Sequence, residues 1–126
     1  MLLTICKGKL HRVKVTEANL DYRGSITIGK ELMEAAGIMP FELVHVNSMS
    51  SAVHWETYVI PGSSGQICLN GCPARLFAVG DEVIILSLCQ VAPAEVRSMI
   101  HTAVFVNSEN SIKETASYNI EDGGLA

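Results

Sequence analysis

Gly24-Ser25-Ile26-Thr27-Ile28-Gly29-Lys30-Glu31-Leu32-Met33-Glu34-Ala35-Ala36-Gly37 is the stretch on which the fold turns. Ser25 to Ile28 is a short run rich in β-branched residues, the composition of a strand. From Gly29 to Ala36, Leu32, Met33, Ala35 and Ala36 offer packing groups at helical spacing, and Gly37 stands where a left-handed C-terminal cap is expected. Outward from this strand and helix the chain reads as strand after strand. Leu10, Val13 and Val15 among charged neighbours predict one ending near Thr16, and Glu42 to Asn47 predicts another. Val53 to Ile60 alternates, with His54, Glu56, Tyr58 and Ile60 on one face and Val53, Trp55, Thr57 and Val59 on the other.

Pro61 to Gly65 reads as a loop. Ile67 to Leu69 is a short strand that runs into Asn70-Gly71, a hairpin-type turn signal. Asp81 to Val91 is the longest apolar strand. Pro93 to Met99 is expected to form one or two helical turns, and Thr102 to Val106 a last strand. Beyond Asn107 the chain is polar, so residues 107–126 are expected to be a flexible tail. Many short strands with one real helix predict a single, mainly β domain closed into a small barrel rather than an open βαβ sheet.

Composition narrows the function. Of the 126 residues, 48% are hydrophobic and 17% charged, a balance that favours an oligomer able to hide apolar surface between subunits. The net charge of −4 argues against nucleic acid as a partner, because phosphate binding needs a cationic surface. No apolar run approaches the roughly 20 residues that span a bilayer, and the first residues lack the features of a signal peptide, so a cytoplasmic location and no membrane partner are expected. Lys7, Lys9, Arg12 and Lys14 form a local basic run, read either as a solvated strand edge or as a small anion site. Cys6, Cys68, Cys72 and Cys89 have no paired metal spacing; Cys68 and Cys89 read as small buried hydrophobes. His11, His45, His54 and His101 are too scattered to suggest a metal, and none is expected.

Taken alone, Gly24-Ser25 reads as a turn before a strand. Its neighbours change that reading. Gly8-Lys9-Leu10-His11-Arg12-Val13-Lys14-Val15-Thr16, Tyr22-Arg23-Gly24-Ser25, Glu34-Ala35-Ala36-Gly37-Ile38, Thr57-Tyr58-Val59-Ile60, Asn70-Gly71 and Val79-Gly80-Asp81-Glu82-Val83-Ile84-Ile85 together resemble the pyruvoyl-dependent aspartate 1-decarboxylases. The resemblance covers roughly the first ninety residues, in order and without large gaps. It implies a double-psi β-barrel with one or two short helices, a homotetramer, and active sites between neighbouring subunits.

The resemblance also implies a precursor that cleaves itself between Gly24 and Ser25, giving chains 1–24 and 25–126. The Ser25 hydroxyl attacks the Gly24 carbonyl, elimination from the ester leaves dehydroalanine, and hydrolysis yields a pyruvoyl group at the new N-terminus. Thr57 and Asn70 match residues that assist this processing. The pyruvoyl ketone would form a Schiff base with the substrate amine and act as electron sink when carbon dioxide leaves. Tyr58 matches the proton donor. Lys9, His11 and Tyr22 match substrate contacts, as do Thr57 and Asn70, and Gly71, Cys72 and Pro73 fall on the pocket wall. The implied product, β-alanine, serves pantothenate and coenzyme A synthesis. Whether cleavage is spontaneous or needs a maturation helper stays open at this level.

Three positions depart from the family pattern. His54 stands where the family has an arginine, Asn47 where it has an aromatic residue, and Cys72-Pro73-Ala74 where it has a run of alanines. A histidine offers no bidentate fork to a carboxylate, so a second reading keeps the pyruvoyl chemistry but gives it another amino acid, a substituted aspartate or a less acidic one. A reading of another class rests on Arg23 to Ile38, which also resembles the swapped-hairpin DNA-binding modules of bacterial transition-state regulators.

Overall fold

The computed structural model describes residues 1–126. Its strands are β1 (Leu3–Lys14), β2 (Glu17–Asn19), β3 (Ser25–Gly29), β4 (Leu43–Ser48), β5 (His54–Gly62), β6 (Ile67–Asn70), β7 (Glu82–Val91), β8 (Ile100–Val106) and β9 (Ile112–Asn119). The helix α1 spans Lys30–Ala36, and two 3-10 turns cover Cys72–Arg75 and Pro93–Ser98. Gly37 closes the helix in the left-handed region at φ 73, where its N–H donates to Glu34 O at 3.3 Å and the Ile38 N–H reaches Met33 O at 2.9 Å.

The strands form one sheet in the order β2-β6-β3-β5-β4-β7-β1-β8-β9. β1 lies near one end of that order and β2 at the other, yet only Val15 and Thr16 separate them. Thr16 makes the link: its N–H and its hydroxyl both donate to Ile67 O, at 2.8 and 3.0 Å. The sheet therefore curls on itself, and the architecture is the double-psi β-barrel that the resemblance implied.

Apolar residues alternate inward to fill it. Leu10 and Val13 from β1, Ile26 and Ile28 from β3, Val44 and Val46 from β4, Val59 from β5, Val83 and Ile85 from β7 and Val104 from β8 belong to one buried cluster. Leu32, Met33 and Ala36 seal it from the helix side. Gly8 permits the close approach of β1 to the helix, since a Cβ there would collide with the Ala36 carbonyl.

Three sequence expectations are corrected. Residues 107–126 do not form a loose tail: β9 pairs antiparallel with β8 from Ile100↔Asn119 to Val106↔Ile112, so the strand at 100–106 is not the last. Asn70-Gly71 makes no hairpin, because β6 is already hydrogen-bonded to β2 on one side and β3 on the other; the chain leaves through the Cys72–Arg75 turn instead. The first strand starts at Leu3, well before Leu10, and β2 had no signal at all.

Candidate active site

Ser25 opens β3 and is wholly buried, while the preceding segment from Leu20 to Gly24 is exposed. The junction between them thus lies where solvent-exposed chain enters the barrel. Across the β3–β6 ladder Ser25 stands opposite Asn70. The Asn70 amide donates from Nδ2 to Ser25 Oγ at 3.0 Å and to Thr27 Oγ1 at 2.9 Å, and its Oδ1 accepts from Cys68 Sγ at 3.2 Å. The Ser25 hydroxyl points back to Arg23 O at 3.4 Å. A buried asparagine with both ends of its amide occupied is held in one orientation, and so is the serine that it touches.

The two glycines have different reasons. A Cβ at Gly24 would meet nothing within 4 Å, so the position before the serine faces open space. Gly71, at φ 77, is required: a Cβ there would lie 2.9 Å from Gly24 Cα and 3.1 Å from Gly24 N. Gly71 is the residue that lets β6 pass against the junction.

β5 runs parallel to β3 with Ile26 opposite Val59 and Thr27 opposite Ile60. Those register pairs place Thr57 and Tyr58 alongside the Gly24–Ser25 end. Thr57 is buried on the barrel side, but Ser25 takes its hydrogen bond from Asn70 rather than from Thr57. Tyr58 points the other way, towards the face that carries Ser25, Thr27 and Asn70, and stacks on Phe41 with ring centroids 5.8 Å apart. Tyr22, half-exposed, lines with Thr27, Ile60, Cys68 and Asn70 a cavity of about 540 Å³. Cys72 is exposed, and Pro73 is buried at the start of the turn that follows Gly71.

The other expected site residues sit elsewhere on the chain's surface. Lys9 belongs to β1, four strand steps from β3 in the sheet order. His11, also on β1, tilts against Phe105 at 5.3 Å, and its Nδ1 is buried without a hydrogen-bond partner. Burial pushes the His11 pKa down, helped by the nearby positive charges of Lys9 and Arg12. One chain therefore unites Ser25, Thr57, Tyr58, Asn70, Gly71 and Tyr22 but does not bring Lys9 or His11 to them.

His54 is exposed at the start of β5, with Nδ1 2.7 Å from Asn47 Oδ1 and Nε2 3.0 Å from Glu56 Oε2. His45 Nε2 approaches the other Glu56 oxygen at 3.4 Å. The histidines judged too scattered along the chain are thus partly gathered by strand pairing. The hydrogen bond from His54, and then the charge of His45, hold the Glu56 carboxyl below its usual value.

Sequence reasoning missed Thr27, the second acceptor of Asn70, and gave Cys68 only a packing role. Cys68 is buried as expected but also serves as a donor, whereas Cys89 is only half-buried. Alternation had already placed Glu56 beside His54; His45 carried no such signal.

Fold and junction together define a class of small β-barrels organised around a serine that is locked into the strand ladder at the point where exposed chain enters the core. A family model described as aspartate decarboxylase matches residues 1–113, and the chain belongs to that family. It is 51% identical over 120 residues to the aspartate 1-decarboxylase of Clostridium beijerinckii, covering 94% of this chain and 97% of that one. To the protein of the same name from Caldicellulosiruptor saccharolyticus it is 51% identical over 114 residues, 89% of each chain. The aspartate 1-decarboxylase of Salinibacter ruber is 43% identical over 122 residues, 95% of this chain and 84% of that one.

Proposed function

We propose that the protein is a carboxy-lyase that converts L-aspartate to β-alanine and carbon dioxide, feeding pantothenate synthesis. Full-length similarity to relatives that bear the name aspartate 1-decarboxylase supports this reading. It favours neither the DNA-binding alternative nor a different amino acid. The observation that carries it to particular residues is the buried Ser25 hydroxyl, 3.0 Å from Asn70 Nδ2 at a glycine-serine junction.

The family is pyruvoyl-dependent, and the surroundings of Ser25 fit the making of that group from the chain itself. In the reading we favour, Ser25 Oγ bonds to the Gly24 carbonyl carbon as the Gly24–Ser25 C–N bond breaks, leaving an ester and a free amine. Loss of the Ser25 α-proton then expels Gly24 as a carboxylate and leaves dehydroalanine. Water replaces the amine as ammonia, and a ketone remains. Asn70 holds the hydroxyl in place, and its amide offers a donor beside the junction where charge develops. Open space at Gly24 leaves the carbonyl approachable, and Gly71 keeps that space free of side chain. Thr57, buried beside the junction, is the second processing residue.

Once made, the pyruvoyl ketone supplies the electron sink for decarboxylation. Tyr58 holds a phenolic proton on the face that carries Ser25, the place from which to protonate the product carbon. Tyr22, Gly71, Cys72 and Pro73 shape the wall, while Lys9, His11 and His54 bind and orient the substrate. Lys9 and His11 lie on β1, which pairs with β7 and β8 and not with β3, β5 or β6, and this supports a homotetramer with sites between subunits. Exposed apolar side chains such as Phe41, Leu43 and Met39 give that assembly surface to bury.

Denaturing mass spectrometry and a carbon dioxide assay over a panel of amino acids test the reading. Two fragments divided between Gly24 and Ser25, the larger reducible by borohydride, are expected together with turnover of L-aspartate. An intact chain in active protein would overturn the processing reading, and release of carbon dioxide only from other amino acids would overturn the substrate.

A further inference from the structure

We propose that His45, His54 and Glu56 form a binding site for a divalent transition-metal ion of the zinc class. All three lie on neighbouring positions of the β4–β5 ladder. His45 stands directly opposite Glu56, and His54 precedes Glu56 by two residues, which puts both on one face of the strand. One donor atom from each side chain falls within 4.8 Å of the others. The imidazole-to-carboxylate separations are 3.4 Å for His45 and 3.0 Å for His54. An ion with bonds of about 2.0–2.2 Å to nitrogen and oxygen spaces tetrahedral ligand atoms about 3.3–3.5 Å apart. The two rings reach different oxygens of the carboxylate, His45 to Oε1 and His54 to Oε2, so Glu56 lies between them, and the donor atoms draw together from within 4.8 Å to that spacing when an ion binds.

One feature beyond proximity supports the site. Asn47, opposite His54 in the ladder, accepts a 2.7 Å hydrogen bond from His54 Nδ1. That bond holds Nδ1 and turns Nε2 towards Glu56, to which Nε2 donates; an ion that takes Nε2 as ligand displaces that proton while Nδ1 keeps its bond to Asn47, the arrangement by which second-shell acceptors orient metal-bound histidines. Two imidazoles and a carboxylate suit zinc, cobalt or nickel better than magnesium or calcium, which prefer oxygen. Three protein ligands on an exposed face leave at least one coordination position for water or a small anion.

Titration of chelator-treated full-length protein with Co²⁺, followed by Zn²⁺ competition, tests the proposal without any need for catalytic turnover. One ion per chain is expected, with the visible bands of nitrogen- and oxygen-ligated Co²⁺ erased by Zn²⁺. His45→Gln and Glu56→Gln should each weaken binding by roughly tenfold or more, and thermal melts confirm that these exposed substitutions keep the fold. No stoichiometric binding, binding unchanged in both variants, or the charge-transfer bands of a thiolate ligand would each overturn the site. His54 is common to this site and to the proposed substrate contacts, so the metal titration is run without substrate and judged by the His45 and Glu56 variants; its failure leaves the aspartate assay standing, and the converse holds.

Discussion

Both ends of the Asn70 amide have buried partners: Nδ2 serves Ser25 and Thr27, and Oδ1 receives the Cys68 thiol. Asn70→Ala should therefore leave the Ser25 and Thr27 hydroxyls and the Cys68 thiol without their partner, Ser25 in the buried interior and Thr27 and Cys68 on the cavity wall. We expect a loss of about 1–3 kcal/mol in unfolding free energy, read by urea denaturation. We also expect slower division of the chain at Gly24–Ser25, read by denaturing mass spectrometry over time. Cleavage at the wild-type rate would remove Asn70 from processing. At this scale the sequence was legible only where motifs were contiguous. Gly24-Ser25, Thr57-Tyr58 and Asn70-Gly71 each announce themselves as neighbours along the chain. Thr27 and Cys68 join Asn70 across strands, and no local pattern encodes which residue faces which in a ladder.

The elements that were read well bury one face. β5 and β7 alternate because the barrel takes every second side chain, β3 is buried on both faces except at Thr27, and α1 ends at Gly37 because a left-handed residue is needed there. β9 was read as loose tail because its sequence, Ile-Lys-Glu-Thr-Ala-Ser-Tyr-Asn, covers no core and is exposed over its first half. Its order comes from pairing along β8, which propensity does not report. The turn before it is held by Asn110, buried at φ 61. Its side chain accepts from the Lys14 N–H at 2.8 Å and donates to Lys14 O and Gly65 O at 2.8 and 2.9 Å. This one side chain takes the place of a missing strand partner at the end of β1. Asn110→Ala is expected to cost about 1–3 kcal/mol through the backbone groups left unpaired, measured by urea or thermal unfolding. A change within a few tenths of a kcal/mol would mean that water takes over those bonds.

Across the whole molecule, the distance in strand order between Lys9 and Ser25 makes a subunit-mixing test decisive. Ser25→Ala protein lacks the residue proposed to react but keeps Lys9; Lys9→Ala protein has the reverse defect. If sites lie between subunits, co-refolding the two should yield aspartate turnover well above the sum of the separate samples. No gain on mixing would place each site within a single chain. The position of β1 has a further consequence for the divided protein. β1 is paired along both edges, to β7 and to β8, and sends Leu10 and Val13 into the core, with Val15 buried just beyond its end. If the chain divides after Gly24 as proposed, the break frees nothing: residues 1–24 stay as a captive peptide, retained by the ladder and the core rather than by a covalent bond. On that proposal, folding precedes dividing. The uncut chain closes its barrel as a first-order event, but once divided and unfolded, the two pieces must meet by collision, and recovery becomes sensitive to dilution.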